Sequence, residues 1–189
     1  MHTPLPPEEL DILKKLAAPF KVIIDVGARD DIDYFDIFPE AEFHLFEVNP
    51  EWFKQLEEKV GNRKNVYLNN YGLGDVEGTF SYNHSSQSLD GGEAWSGETD
   101  LKLPVKTLDW YIKEKGITQI DFLKIDTEGY DYKVLRGGEE ALKMTRYLQY
   151  EHWNDLEQFH DLLEKDFNME YVGFRNVLCT RLHGIRGHI

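Results

Sequence analysis

Hydrophobic residues follow two rhythms along this chain. Short continuous apolar or aromatic runs at 22–26, 43–48, 66–68, 120–125 and 146–150 have the length and the β-branched or aromatic content of buried strands. Between them, apolar residues recur three and four positions apart. Leu10, Leu13, Leu16 and Ala17 form one such stripe, within a helix expected in 1–20. Trp52, Phe53, Leu56 and Val60 form a second, and Leu156, Phe159, Leu162 and Leu163 a third, in 155–165. Helices are also expected at 108–115, 131–136 and 139–143, and a short helical turn at 31–38 that stops at Pro39.

Polar residues mark the ends of these elements. Asn49-Pro50-Glu51 combines a cap, a proline in the first helical position and a first-turn acid, and Gly61-Asn62 closes that helix. Thr107 caps the helix that ends at Gly116, and Gly137-Gly138 separates the two short ones. Residues 79–83 read as a short extra strand, and 103–105 as a segment pairing at an edge. Residues 84–100, rich in Ser, Gly and acids, read as a long mobile loop of the kind that often covers a binding site. The apolar runs in MEYVGF and VLCTRL flank Arg175-Asn176 as an antiparallel hairpin.

Alternating strands and helices imply an α/β fold, its largely parallel sheet covered on both faces. A terminal hairpin departs from dinucleotide-binding domains, which continue with parallel units. The element order resembles the Rossmann-like class I methyltransferase fold: a mostly parallel seven-stranded sheet with helices on both faces and a C-terminal antiparallel hairpin. Its length of 189 residues fits a single domain over 1–189.

Composition narrows the partners. A net charge of −14 disfavours nucleic acid and anionic membranes and is compatible with a neutral or cationic ligand. Cys179 is the only cysteine, so neither an intrachain disulfide framework nor a cysteine zinc site is expected. The N-terminus lacks an apolar signal core and no apolar run would span a bilayer, which points to a soluble, cytoplasmic-type protein. Nothing in the sequence specifies an oligomeric state.

Acids stand at four apolar strand ends: Asp25, Glu47, Asp126 and Glu151. In doubly wound sheets ligands bind beyond the carboxyl ends of the strands. Any one of these acids would serve equally well as a cap or turn former; all four together favour a site. Glu47 follows the first turn by about twenty residues, where an acid accepts hydrogen bonds from ribose hydroxyls. It is also placed to help cap the Asn49 helix. Spacing alone does not separate NAD from S-adenosylmethionine, since both carry a ribose.

DVGAR at 25–29, FEVNP at 46–50, TLD at 107–109 and above all LKIDTEGYDYKVLRGG at 123–138 resemble FkbM-type S-adenosylmethionine-dependent methyltransferases. The resemblance runs from about residue 21 to residue 152 and implies methylation of hydroxyl groups, including those of sugars. It implies S-adenosyl-L-methionine as cofactor, with Asp25 and Gly27 in the cofactor turn, Glu47 on the ribose, and Gly74 and Asp75 beside the adenine. Asp126 and Glu128 would lie near the methyl group and the acceptor. Asp75 in GDVEG reads equally well as a turn former. The chain departs from the family pattern at Arg29, usually Asn, at Asp31, usually Gly, and at Val48, usually Pro. Arg29 offers a fork for the cofactor carboxylate, or else pairs with a neighbouring Asp on the surface. The missing glycine places a demand for left-handed backbone on Asp31.

Methyl transfer to a hydroxyl needs the oxygen held about 3 Å from the methyl carbon and a group to take its proton. The candidates are His152 first, then Glu128 and Asp126, with Glu151 beside them and His84 in the long loop. His152 also fits a purely anchoring role before Trp153. No metal is expected, although Asp126, Glu151 and Asn154 or Asp155 would form an oxygen ligand set. The acceptor expected is a small molecule or glycan hydroxyl. Two other classes stay open: a non-catalytic scaffold with an altered cofactor loop, and an NAD-dependent oxidoreductase.

Overall fold

The computed structural model describes residues 11, 13–16, 19–29, 33–83, 87–89, 101–153, 156–172 and 174–183. Seven strands form the main sheet: β1 (Val22–Val26), β2 (Glu42–Phe46), β3 (Val66–Asn69), β8 (Ile120–Ile125), β9 (Thr145–Glu151), β10 (Phe167–Val172) and β11 (Asn176–Arg181). Their spatial order is β10-β11-β9-β8-β1-β2-β3. The strands from β9 to β3 run parallel, while β11 is antiparallel to both β9 and β10. All six residues of β8 are buried, which is why that run reads as unbroken apolar sequence apart from Asp121 and Lys124.

Helices cover both faces. α1 (Pro50–Val60) starts where the Asn49 side chain accepts the N–H of Glu51, and it buries Leu56 and Val60. With Leu13, Phe20, Tyr34 and Phe35 it covers the face that carries Ile23, Phe43, Leu45 and Phe122. The other face, with Ile24, Leu123, Ile125 and Leu148, packs on α2 (Leu108–Lys115), α3 (Asp131–Arg136), α4 (Glu139–Lys143) and α5 (Leu156–Leu163). α2 begins at Thr107, whose hydroxyl accepts the Trp110 N–H, and ends at a left-handed Gly116. No helix among the described residues is long and apolar enough to cross a membrane.

Four short strands form a second sheet: β4 (Gly72–Leu73), β5 (Gly78–Asn83), β6 (Ser88–Leu89) and β7 (Lys102–Lys106), in the order β4-β7-β5-β6. Its Leu73, Tyr82, Leu89 and Val105 join the core below α2 and α3. The loop expected at 84–100 is therefore structured at one point: Ser88 and Leu89 pair with Asn83 and Tyr82 because Leu89 is drawn into that core. Gln87 leads into that pair with φ +54, and the other positions of that loop, His84 among them, lie outside the described residues. Of the helix expected in 1–20, residues 11 and 13–15 are helical, and Leu13 is buried. β2 closes at Phe46, two residues before the apolar run does, because Glu47 and Val48 leave the strand to reach the Asn49 cap. The expected turn at 31–38 is a 3-10 turn at Asp33–Phe35.

Candidate active site

β1 and β8 are neighbours in the sheet, but β1 leads on to β2 on one side and β8 to β9 on the other. A crevice opens above the carboxyl ends of such a pair. Gly27 lies at its floor with φ +90, and a Cβ there would fall 1.9 Å from the Asp126 carbonyl oxygen. Only glycine combines that backbone conformation with that approach. The N–H groups of Gly27 and Ala28 both donate to the Phe46 carbonyl at 2.9 Å, and Asp126 donates to the Val26 carbonyl at 2.9 Å. The first turn is thereby laid across the ends of β8, β1 and β2.

Glu47 stands at one end of this crevice, 7% exposed. Its Oε2 accepts the Arg29 N–H at 2.9 Å and its Oε1 the Asn49 N–H at 2.7 Å. Each oxygen retains a lone pair for a further donor. Burial pushes its carboxyl up to about 7, against those two hydrogen bonds. Glu47 thus braces the entry to α1, as expected of a residue beside the Asn49 cap, while its oxygens keep further acceptor capacity. Asp25 is buried in β1, its Oδ2 taking the Tyr34 hydroxyl, and its charge adds to the upward push on Glu47.

Arg29 has φ +47. Residue 29, where the family pattern has Asn, is thus itself left-handed, a region that Asn tolerates well. Asp30 and Asp31 lie outside the described residues. The Arg29 guanidinium carbon sits 4.2 Å above the Trp52 ring centroid of α1. Its Nε is buried and makes no hydrogen bond among the described residues. A buried orphan donor on a charged group fits an anionic ligand group. Tyr82, on the small sheet, accepts from Asn49 Nδ2 at 3.3 Å and lies within the fields of Glu47, Glu128 and Arg29, so it covers this end. Nothing in its sequence context singled it out.

A second group of acids gathers at the ends of β8 and β9. Glu128 has φ +54 and Gly129 φ +85, a pair of left-handed residues that carries the chain from β8 into α3. Burial raises the Glu128 carboxyl, with Asp126 reinforcing the shift. Burial likewise pushes Glu151 up to about 7, followed by Asp126 and, more weakly, Glu128. Glu151 Oε2 accepts the Trp153 indole N–H at 2.9 Å, and its Oε1 lies 3.8 Å from Arg175 Nη1.

Two residues that the sequence pattern did not single out hold this group together. Asp131 is 1% exposed; its Oδ2 accepts the N–H and hydroxyl of Thr127 at 3.1 and 2.6 Å, and its Oδ1 the Glu151 N–H at 3.0 Å. Burial raises its carboxyl well above the usual range. Lys124, 4% exposed, reaches Asp126 Oδ2 at 3.4 Å, and in the strand register it lies between Asp25 and Gln149.

The predicted residues thus separate into sets. Asp25, Gly27, Arg29 and Glu47 gather at the ends of β1 and β2, and Asp126, Glu128 and Glu151 at the ends of β8 and β9, with the charge of Arg29 acting on Glu128 between them. His152 turns to the hairpin instead: its N–H donates to the Arg175 carbonyl at 3.0 Å and its ring meets the Tyr171 ring edge-on at 6.1 Å. Gly74 pairs with the Lys106 carbonyl at 2.9 Å and packs on Tyr130, while Asp75 is exposed. Their contacts are with the small sheet and α3. Among the described residues, no group of three His, Cys, Asp or Glu side chains is placed to hold a metal ion. Asn154 and Asp155 lie outside them.

Comparison with known proteins bears on the same region. The methyltransferase FkbM domain matches residues 25–175, most of the chain. A 2-O-methyltransferase, NoeI of Sinorhizobium fredii, is 25% identical over 200 residues, covering 94% of this chain and 82% of its own. A hexuronic acid methyltransferase, AglP of Haloferax volcanii, is 24% identical over 144 residues, covering 74% of this chain and 60% of its own. Among solved structures, a Streptococcus mutans protein described as a methyltransferase and crystallised with SAH superposes with a TM-score of 0.57 at 13% identity. That match covers 94% of this chain and 98% of the other, and it concerns the fold.

Proposed function

We propose, because the chain belongs to the FkbM methyltransferase family, that it transfers a methyl group from S-adenosylmethionine to a hydroxyl of a sugar or glycan. The two relatives, described as a 2-O-methyltransferase and a hexuronic acid methyltransferase, support that acceptor class. The observation that carries the reading is the arrangement of the crevice. A buried ribose-type acceptor, Glu47, stands at one end and the acid group Asp126, Glu128 and Glu151 at the other.

When bound, S-adenosylmethionine supplies an electrophilic methyl group on a positively charged sulfonium. In our reading Glu47 accepts the ribose hydroxyls with its open lone pairs, and the Gly27 turn lets the cofactor lie against the backbone. The orphan Nε of Arg29 faces the cofactor carboxylate. Asp126 and Glu128 place negative charge beside the sulfonium, which favours it electrostatically. Glu151, oriented by Trp153, takes the acceptor hydroxyl proton; its raised proton affinity suits a base working near neutral pH. Glu128 is the next candidate. His152 holds the hairpin, and Gly74 serves packing against Tyr130. The whole chain acts as one methyltransferase domain, and its acidic charge and single cysteine suit a cytoplasmic enzyme.

Thermal unfolding with S-adenosylhomocysteine and with NAD tests the cofactor, since a ligand that binds only the folded state raises the melting temperature. A rise with the first alone is expected. Transfer of a labelled methyl from S-adenosylmethionine to a panel of glycosides then tests the acceptor class. No shift with S-adenosylhomocysteine would overturn the proposal and favour a scaffold.

A further inference from the structure

The tip of the β10–β11 hairpin stands next to Glu151. Arg175 lies there with its guanidinium carbon 3.9 Å above the Trp153 ring and 5.6 Å from the Phe174 ring centroid. Trp153 donates its indole N–H to Glu151, and Arg175 faces the other Glu151 oxygen at 3.8 Å, beyond hydrogen-bonding distance. The Arg175 side chain is 34% exposed, so part of it is open to solvent. Phe174 is 89% exposed, the most exposed of the large hydrophobic residues among those described.

An aromatic ring so exposed gains nothing from its own fold. Its position gives it a use. It adds a second ring to the Trp153–Arg175 stack, and Arg175 links both rings to Glu151 at 3.8 Å. A flat apolar face with a guanidinium at its edge matches a pyranose, which offers a C–H face and a rim of oxygens. Asp126, Glu128 and Glu151 would repel a negatively charged acceptor unless a cation stood at the entrance, and Arg175 is that cation.

We propose that Phe174 and Arg175 form the acceptor subsite: the pyranose ring of a carboxylate-bearing sugar lies on Phe174, and Arg175 holds the carboxylate. The proposal rests on the reading of the enzyme as a sugar O-methyltransferase. It fixes specificity at the hairpin tip, outside the residues assigned to the cofactor.

The probe is methyl β-D-glucuronide, with methyl β-D-glucoside as its neutral counterpart, each followed by saturation-transfer NMR on the protein saturated with S-adenosylhomocysteine. Wild-type protein is expected to transfer saturation to the glucuronide ring protons and to bind it at least tenfold more tightly than the glucoside. Phe174→Ala, at an exposed position that leaves the core intact, is expected to abolish the transfer while S-adenosylhomocysteine affinity stays the same. Arg175→Gln is expected to bring glucuronide binding down to the glucoside level. Unchanged transfer in Phe174→Ala, equal binding of the two glycosides, or no transfer to either would overturn the subsite. Failure of S-adenosylhomocysteine to bind the wild type would instead overturn the enzymatic reading itself.

Discussion

The Asp131 carboxylate accepts the backbone N–H of Glu151 at 3.0 Å while its other oxygen holds Thr127. One buried side chain thus joins the turn after β8 to the end of β9 and sets the spacing between Glu128 and Glu151. Replacing it with alanine would strand donors in the interior, each at a cost of 1–3 kcal/mol. Asp131→Ala is expected to lower unfolding stability by about 3 kcal/mol, read from urea denaturation. Methyl transfer should fall further than the folded fraction does, because Glu151 loses its anchor. An activity loss no larger than the folded fraction accounts for would mean that Asp131 has only a structural role.

Gly27 offers a sharper test of the crevice floor. A methyl group at this position would meet the Asp126 carbonyl at 1.9 Å, in a conformation that L-residues avoid. Gly27→Ala is expected to force β1 and β8 apart at their ends, costing about 3 kcal/mol or more by thermal unfolding and abolishing cofactor binding. Gly61→Ala is the control. It also has a positive φ, at +60, but nothing lies within 4 Å of its would-be Cβ, so it should cost only the backbone strain.

The two positions also show what the sequence made legible. β1, α2, α3 and α4 are readable to the residue because their signals are local: an apolar run, a cap, a closing glycine. The small sheet was only half visible, since β4 and β6 have two residues each and exist only through pairing with distant segments. Asp131 reads in sequence as an ordinary first-turn helix acid, and its role depends on β9, twenty residues on. Gly137 reads as a helix breaker, yet a Cβ there would fall 1.8 Å from the Gly74 carbonyl, so it serves close packing. In TLD, Thr107 caps its own helix while Asp109 accepts the N–H groups of Glu140 and Ala141 at the start of α4. That motif is legible as a pattern, and its work is structural.

Arg29 decides between a cofactor clamp and a surface stack. Its guanidinium already rests on Trp52, so truncation removes a cation–π contact worth about 0.5–2 kcal/mol at this half-buried position. If Nε also pairs with the cofactor carboxylate, Arg29→Ala should weaken S-adenosylhomocysteine binding by about tenfold or more in calorimetric titration. Trp52→Ala separates the two effects, since it removes the stack and leaves the guanidinium. Unchanged affinity in Arg29→Ala would reduce the residue to a brace for α1.

The Glu47 carboxyl sits near 7 in the folded protein against an ordinary 4.5, because burial disfavours its charge. In the ligand-free protein its contribution to stability is fully present below about 4.5 and is lost as pH rises through about 7. Ribose hydroxyls, which donate to the carboxylate, favour the ionised form instead. S-adenosylmethionine affinity is therefore expected to weaken as pH falls below about 7, by up to about tenfold per unit, with uptake of a proton by the free protein. Glu47→Gln should bind about a hundredfold more weakly and lose the pH dependence. A wild-type affinity that stays flat from pH 5 to about 8 would separate Glu47 from the ribose.

The acid group at the other end has its own signature. A base acts deprotonated, so with Glu151 near 7 the acceptor kcat/KM should fall on the acid side of that value and level off above it. Glu151→Gln is expected to lower kcat by about a hundredfold or more and to remove the titration. Glu128→Gln should lower kcat less and shift the Glu151 titration downward, because a neighbouring negative charge no longer opposes ionisation. His152→Ala should leave both the plateau and the titration in place and act through the hairpin, raising KM for the acceptor. A titration that persists in Glu151→Gln and disappears in His152→Ala would transfer the proton to the imidazole, and it would require the His152 ring to leave Tyr171 when the acceptor binds.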